Sequence, residues 1–132
     1  EEVKLSIKIL TDPFPADEAL VRLWRVAWGE VGPDSFQPIL RRSLTHVGAY
    51  DEGMLVGFVN VAWDGGMHAF LLDTCVDPDY RRQGIATRLV ERAAQVVRER
   101  GAHWLHVDFE PHLESFYRGC GFGPTAAGLM RL

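Results

Sequence analysis

A change in the spacing of apolar residues near position 80 constrains this fold more than any other feature of the sequence. Before it, residues 54–63 and 67–76 are mainly apolar and are joined by a tight Asp-Gly-Gly turn, which predicts two antiparallel strands. After it, apolar residues between Gly84 and Arg100 recur at helical spacing. A further strand over 103–109 would then pair parallel to the earlier one through a crossover. The sequence therefore predicts an α/β fold with a mixed, mostly antiparallel central sheet, in which one parallel strand pair is joined by a crossover helix.

The remaining elements follow from the same patterns and complete a single domain over residues 1–132. Further strands are predicted over 3–10 and 46–50, and further helices over 17–28, 34–43 and from Pro111 to about Cys120. After Phe122 the tail has room for one short strand or a minimal hairpin.

Composition and charge exclude several classes of protein. The apolar share of 47% is ordinary for a globular domain, and a net charge of −4 argues against a nucleic-acid partner. No apolar run approaches the ~20 residues that span a bilayer, and no signal peptide is evident, so no membrane partner is expected. Cys75 and Cys120 lack the spacing of a disulfide framework, which predicts a reducing, cytoplasmic location. Four arginines nevertheless cluster within a short stretch, which favours a small anionic ligand: Arg81, Arg82, Arg88 and Arg92.

The junction between the strand that ends at Val76 and the helix that begins at Gly84 has the chemistry of an anion site. The first N–H groups of a helix lack internal partners, and the helix dipole adds partial positive charge there. Gly84 leaves room for a phosphate, Ala86 keeps the next position small, and Thr87 adds a hydroxyl donor. The alternative is a surface loop with a solvated arginine pair. No Gly-Lys-Ser/Thr and no Gly-x-Gly-x-x-Gly is present, which excludes a P-loop and a dinucleotide-binding fingerprint.

Two short motifs resemble those of the GNAT acetyltransferase superfamily. Residues 81–86, Arg-x-x-Gly-x-Ala, match the family's Arg/Gln-x-x-Gly-x-Gly/Ala signature, and residues 76–78, Val-Asp-Pro, precede it as Val-x-Pro often does. Residues 116–122, Phe-Tyr-Arg-Gly-Cys-Gly-Phe, are similar to the family's Phe-Tyr-x-x-x-Gly-Phe near the last helix. The resemblance covers most of the chain, from residue 3 to 123, and implies helices on both faces of the sheet.

The resemblance further implies that the chain binds acetyl-CoA as cosubstrate and transfers its acetyl group to a primary amine. The acceptor amine belongs to a small molecule or to a peptide, and the sequence leaves both open. In such enzymes the amides of the signature loop hold the coenzyme diphosphate, and the pantetheine arm pairs with the end of the fourth strand. A backbone N–H near Val76 would polarise the thioester carbonyl. The implied cofactor-binding residues are Cys75, Val76, Arg81, Arg82, Gln83, Gly84, Ile85, Ala86 and Thr87.

Proton transfer in this reaction needs an acid and a base. The resemblance places Tyr117 as the general acid that protonates the leaving sulfur, since a phenol with a reference pKa of ~10 is protonated at neutral pH. The alternative for Tyr117 is a core aromatic residue with a satisfied hydroxyl. Asp73, three residues before Val76, is the candidate base or acceptor contact. His68 or a water chain are the alternatives to it.

The acceptor side is the least determined part of the sequence. In this family the first two helices help to wall the acceptor site, so Trp28 is a candidate substrate-binding residue, with core packing as the alternative. Asp108 and Glu110 are candidates for binding a cationic acceptor or for removing its proton. Glu110 stands where the family often has an Asn that bonds the pantetheine arm, and a carboxylate can only accept. Because the tail after Phe122 is short, one wall of the site is either reduced or supplied by a second subunit, as in a homodimer.

Several other hypotheses stay open. His103, His106 and His112 suggest a metal site, but positions 103 and 106 of a strand point to opposite faces, so no metal is expected. A covalent acyl-Cys75 route competes with the plainer role of Cys75 as a small buried hydrophobe. A non-catalytic acyl-CoA-binding module is the alternative function, and a purely structural domain is the third.

Overall fold

Five strands form one sheet in the order β1-β2-β3-β4-β5 in the computed structural model, which describes residues 6–132. The strands are β1 (Ile7–Thr11), β2 (Ser43–Asp51), β3 (Met54–Trp63), β4 (His68–Val76) and β5 (Trp104–His106). Strands β1 to β4 pair antiparallel in sequence order, and β5 pairs parallel with β4. The mixed, mostly antiparallel sheet with one parallel pair is therefore confirmed.

Within residues 6–132, four α-helices cover both faces of this sheet. They are α1 (Asp17–Trp28), α2 (Gln37–Arg42), α3 (Ile85–Glu99) and α4 (Glu114–Gly119). A cluster that includes Leu23, Leu40 and Phe58 packs α1 and α2 on one face. The larger cluster, with Leu89 and Tyr117, packs α3 and α4 on the other face. Burial on both faces explains why β3 is apolar along most of its length.

A bulge interrupts the pairing of β4 with β3. The register shifts between Phe58 and Asn60 of β3, so that Asp73 and Thr74 of β4 together oppose Val59. Asp73 has a φ of 60°, a left-handed backbone conformation that non-glycine residues seldom adopt. Bulges of this kind concentrate beside functional sites, where they re-aim side chains.

The bulge reverses which residues of β4 face α3. Before it, Ala69 and Leu71 belong to the core cluster of α3, as the alternation of a strand requires. After it, Val76 packs against that cluster, whereas Cys75 lies in the cluster of α1 and α2. Thr74, two residues before Val76, therefore lies on the α3 side of the sheet.

The helix and strand bounds confirm most predictions and correct some. Helix α1 and strand β3 have the predicted bounds, 17–28 and 54–63. The prediction of a strand over 3–10 lies partly outside the described residues, and its described part is β1. The helix predicted over 34–43 is shorter, because Phe36 is its N-cap and Pro38 occupies its first turn.

The largest corrections concern the C-terminal part. The predicted strand over 103–109 is β5, which ends at His106 because β4 and β5 part there. The predicted last helix is a 3-10 turn, Pro111–Leu113, followed by α4. The described tail contains no strand after Gly119, so the expected short strand or hairpin is wrong; its glycines and Pro124 disfavour pairing. None of the helices in the described part of the chain is long and apolar enough to cross a membrane.

Candidate active site

The turn that follows β4 is anchored to α1 and to the β2–β3 turn. The buried carboxylate of Asp77 accepts a hydrogen bond of 2.6 Å from Arg22 Nη2 and another of 3.0 Å from the Asp79 N–H. The Tyr80 hydroxyl donates to Asp51 Oδ2 at 2.6 Å. These bonds fix the start of the loop that leads into α3.

The next residues, 82–87, form what we call the cradle. Arg82 and Gly84 both have left-handed backbone, with φ values of 64° and 75°. Within residues 6–132, none of the six amides of the cradle donates to a protein acceptor, and no side chain caps α3. A Cβ at Gly84 would meet no atom within 4 Å, so the space before the helix is open. Unpartnered amides at the positive end of a 15-residue helix fit an anionic group such as a diphosphate.

The arginines that cluster in sequence separate in the structure. Arg82 and Gln83 are exposed at the cradle, and Arg81 donates a long bond of 3.4 Å to the Ala27 carbonyl at the end of α1. Arg88 and Arg92, by contrast, donate to the main-chain carbonyls of β1. The inclusion of Arg88 and Arg92 in one anion-binding cluster is therefore wrong, because their side chains tie α3 to the edge strand.

Strand β4 has an open edge beside the cradle. Its parallel pairing with β5 ends at Phe70 and His106, and residues 71–76 have no strand partner on that side within the described chain. Adjacent amides of a strand point to opposite neighbours. Asp77 donates its N–H to the Val56 carbonyl of β3 at 2.8 Å, so the N–H of Val76 points away from β3, toward the open edge. The main-chain groups of Cys75 face β3, with which it is paired.

Tyr117 of α4 lies in an aromatic environment. Its side chain is 6% exposed and stacks on Phe109 at 4.9 Å, with Phe116 and Phe122 edge-on to the ring. Burial raises the pKa of Tyr117 and the negative charge of Asp108 adds to the rise, whereas the nearby Thr74 hydroxyl lowers the pKa. Tyr117 is therefore protonated at neutral pH.

Asp73 and Cys75 differ in what their environment allows. Burial raises the pKa of the Asp73 carboxyl, which makes it a stronger base than an exposed aspartate. Burial, with the charge of Asp73, raises the pKa of the Cys75 thiol to about 12. Since the thiolate is the nucleophilic form, the Cys75 side chain is inert at neutral pH. This argues against an acyl-Cys75 route.

Similarity to known proteins identifies the family of this chain. Residues 11–122 match the family model described as acetyltransferase (GNAT) family. The chain belongs to this family. Streptothricin acetyltransferase from Streptomyces lavendulae is 34% identical over 96 residues, which are 70% of this chain and 51% of that protein. The chain thus spans about half the length of this curated relative, and less of several others.

Solved GNAT structures share the fold. An acetyltransferase of the GNAT family from Streptococcus pneumoniae TIGR4 superposes with a TM-score of 0.82 at 25% identity, covering 96% of this chain and 97% of that one. An aminoglycoside N-acetyltransferase solved with CoA has a TM-score of 0.75 at 17% identity, covering 98% and 96% of the two chains. The resemblance seen in the two sequence motifs is confirmed by both comparisons.

The candidate acceptor residues of this GNAT protein are all exposed and lie on two separate parts of the chain. Trp28 is 39% exposed at the end of α1, where it packs edge-on against Trp24 at 4.3 Å. Asp108 and Glu110 are exposed on the segment after β5, and Asp108 is close enough to Tyr117 to affect its titration.

The histidines do not gather into one site. His68 Nδ1 and His106 Nε2 lie 2.8 Å apart across the short β4–β5 pairing, which begins at His68 of β4 and ends at His106 of β5. Among the described residues, no group of three or more His, Cys, Asp or Glu side chains is arranged to hold a metal ion.

Sequence reasoning missed two kinds of residue in this GNAT site. Arg22 and Asp51 hold the turn before the cradle, yet each belongs to an element distant in sequence, so no local pattern indicates them. Thr74 lies on the same side of the sheet as Tyr117 only because of the bulge. One signal was available, since Leu71 and Leu72 break the alternation of β4 directly before Asp73.

Proposed function

We propose that this chain is an acetyl-CoA-dependent N-acetyltransferase acting on a primary amine. The observation that supports it most is the set of six unpartnered amides in the cradle, which lies beside the open edge of β4 in a chain of the GNAT family. An anion site that follows an unpaired strand edge suits a ligand with a diphosphate and an extended amide-containing arm.

In this proposal the cradle holds the diphosphate of the coenzyme. Arg82, Gln83, Gly84, Ile85, Ala86 and Thr87 supply amide donors, and the Arg81 and Arg82 guanidinium groups add charge at the rim. The pantetheine arm extends along the open edge of β4 near Val76, with Cys75 contributing only packing behind it. Acetyl-CoA bound there supplies the thioester that the acceptor amine attacks.

The residues proposed to act at the open edge of β4 have roles that suit acetyl transfer. The Val76 N–H, which points to the open edge, donates to the thioester oxygen as negative charge develops on it. Tyr117 is protonated at neutral pH and gives its proton to the leaving sulfur. Asp73, with its raised pKa, accepts the proton of the acceptor ammonium directly or through water.

The acceptor is proposed to be a small cationic amine. Trp28 would contact its apolar part, and the carboxylates of Asp108 and Glu110 would attract its charge. Relatives named for streptothricin and aminoglycoside acetylation support a small-molecule acceptor. Both cysteines are free, which supports the reducing cytoplasm as the compartment.

A non-catalytic acyl-CoA-binding module is the second candidate. The described tail forms no strand after α4, so one side of the acceptor site has no wall from this part of the chain. A second subunit could close that side, and the mass of the particle in solution would show it.

The test is release of free thiol from acetyl-CoA with a panel of amines. Tyr117→Phe should lower kcat by about 100-fold or more and leave the KM for acetyl-CoA nearly unchanged, because a general acid acts in the chemical step. Tyr50→Phe is the matched control, since Tyr50 is half-buried on the opposite face. Binding of acetyl-CoA without turnover across the whole panel would favour the binding module, and a wild-type rate for Tyr117→Phe would remove Tyr117 from the mechanism.

A further inference from the structure

A short row of side chains crosses the sheet at the point where the open edge of β4 begins. Phe70 of β4 pairs with Ala62 of β3 on one side and with His106 of β5 on the other. The residues next to them, Val61 and Leu71, belong to the core cluster of α3, so Ala62 and Phe70 point to the opposite face. Three adjacent strands thus carry one small and two planar side chains in a line.

The two planar side chains are fixed against each other. The Phe70 and His106 rings stack with centroids 4.7 Å apart and planes inclined by 24°. His68 Nδ1 and His106 Nε2 lie 2.8 Å apart, so a hydrogen bond between the imidazoles holds His106 in this position. One face of the Phe70 ring is therefore covered by a side chain that is itself held.

The other face of Phe70 is turned toward Ala62, whose methyl group is too small to cover a ring. Phe70 remains 38% exposed, and Ala62 is partly exposed beside it. Within residues 6–132, neither of the two core clusters includes Ala62 or Phe70. We call Ala62, Phe70 and His106 the ledge, because Ala62 forms a low floor beside the wall of Phe70. A planar aromatic ring fits this shape, lying over the floor and stacking on the free face of Phe70.

We propose that the ledge binds an aromatic ring of the acceptor, so that the substrate is a primary amine joined to a planar ring by a short chain. This rests on the proposed function, since the nitrogen of that amine would lie at the open edge of β4. Tyr117 packs on the α3 side of the sheet, so the amine would reach the edge from the side of the ledge.

The spacing along β4 sets the length of the chain. Phe70 and Asp73, the proposed base, are three residues apart, which is about 10 Å of extended strand. A chain of about four carbons between ring and nitrogen covers most of that length. Leu72, between them, is exposed on the same face as Phe70, which gives the chain an apolar surface to follow.

The test compares kcat/KM for 4-phenylbutylamine, 4-cyclohexylbutylamine and butylamine at saturating acetyl-CoA. The wild type should prefer 4-phenylbutylamine over butylamine by about 30-fold, because the ledge removes the ring from water. It should prefer the phenyl over the cyclohexyl compound by about threefold, since only a planar ring stacks on Phe70. A purely apolar surface would not favour the phenyl ring.

Two variants change the ledge without removing core residues. Phe70→Leu keeps an apolar side chain and loses the planar face, so the preference for phenyl over cyclohexyl should disappear. Ala62→Leu fills the floor and should lower kcat/KM for both ring compounds about tenfold more than for butylamine. Leu10→Ala is the control, because Leu10 is 43% exposed on β1 at the opposite edge of the sheet, and it should keep the wild-type ratios. Titration with coenzyme A checks that each variant is folded.

Turnover in which ring compounds are no better than butylamine overturns the ledge and leaves acetyl transfer standing, as do wild-type ratios in both Phe70→Leu and Ala62→Leu. If no amine is acetylated, the proposed function fails and binding alone decides about the ledge. Adding 4-phenylbutylamine to protein saturated with coenzyme A should then shift the His106 ring 13C signals, assigned with His106→Gln, to a saturable extent. Absence of that shift in the wild type, or the same shift in Ala62→Leu, overturns the proposal.

Discussion

Two glycine turns at opposite ends of β4 show how this chain separates a structural turn from a ligand site. Gly65 and Gly84 have φ values of 84° and 75°, and a Cβ would meet no atom within 4 Å at either position. At the first turn, Asp64 Oδ1 accepts from the Gly66 N–H at 2.7 Å and from the His68 N–H at 3.2 Å. At the second, the amides that follow have no partner in the described chain.

The difference teaches that backbone shape alone does not make an anion site. The Gly65 turn satisfies its own donors with a carboxylate, so its hydrogen-bonding capacity is used by the fold. The cradle keeps its donors free because its anchors, Asp77 and Tyr80, lie before it and bond away from it. Unpartnered donors in an otherwise well-bonded structure indicate a place where a ligand completes the bonding.

The largest expected effect comes from charging the two turns in the same way. Gly84→Glu should weaken coenzyme A binding by 100-fold or more, since a carboxylate before the cradle repels the diphosphate and blocks its charge-assisted bonds. Gly65→Glu carries the same backbone strain and the same charge, and should bind coenzyme A like the wild type. Isothermal titration calorimetry with coenzyme A measures both affinities. Equal affinities for the two variants would contradict the claim that only the Gly84 turn binds the coenzyme.

A smaller effect is expected from loosening the anchor of the cradle. Arg22→Ala leaves the Asp77 carboxylate buried without its ion-pair partner, which should lower the free energy of unfolding by about 2 kcal/mol. Coenzyme affinity should fall several-fold as the loop loses order. Arg25→Ala, an exposed arginine on the same helix, is the control. Denaturant unfolding measures the stability, and a wild-type value for Arg22→Ala would contradict the anchoring role.

The smallest effect is expected at the Gly65 turn. Hydrogen bonds from the Gly66 and His68 amides lower the pKa of the Asp64 carboxyl below its ordinary value of 3.8. The hydrogen bonds to the ionised Asp64 carboxylate therefore stabilise the folded turn fully at a pH above the ordinary pKa of 3.8. This stabilisation is lost as the pH falls through the lowered pKa of the folded state. Asp64→Ala should abolish the slow amide exchange of Gly66 and His68 at neutral pH without changing coenzyme affinity. Unchanged exchange at both amides would show that the turn does not depend on Asp64.

Much of the fold was predictable because local patterns carried it. The apolar run of β3 results from burial on both of its faces, and the helical spacing of α1 and α3 results from one continuous buried face. Such patterns can be read from the sequence. The end of β5 was not predictable, since residues 107–109 continue the strand pattern and only the parting from β4 ends it. The prediction of a strand in the tail was wrong for a similar reason, because strand pairing depends on a neighbour that no local pattern specifies.

The candidate site likewise has a part that local sequence predicts and a part that depends on distant residues. The cradle was predictable because Gly84 and the helix after it are consecutive in the chain. The prediction that Arg88 and Arg92 bind an anion was wrong, because their side chains donate to β1 carbonyls instead. Thr74 was not predicted, since one inserted residue in β4 changes the face of each residue after it.

The most direct test of this account is amide hydrogen exchange with and without coenzyme A, resolved by residue. If the cradle binds the diphosphate, the amides of residues 82–87 should exchange quickly in the free protein and slowly with coenzyme, and Val76 should gain protection with them. Gly66 and His68 should be protected in both states. Amides at 82–87 that are slow before coenzyme is added, or that gain no protection at saturation, would contradict the account.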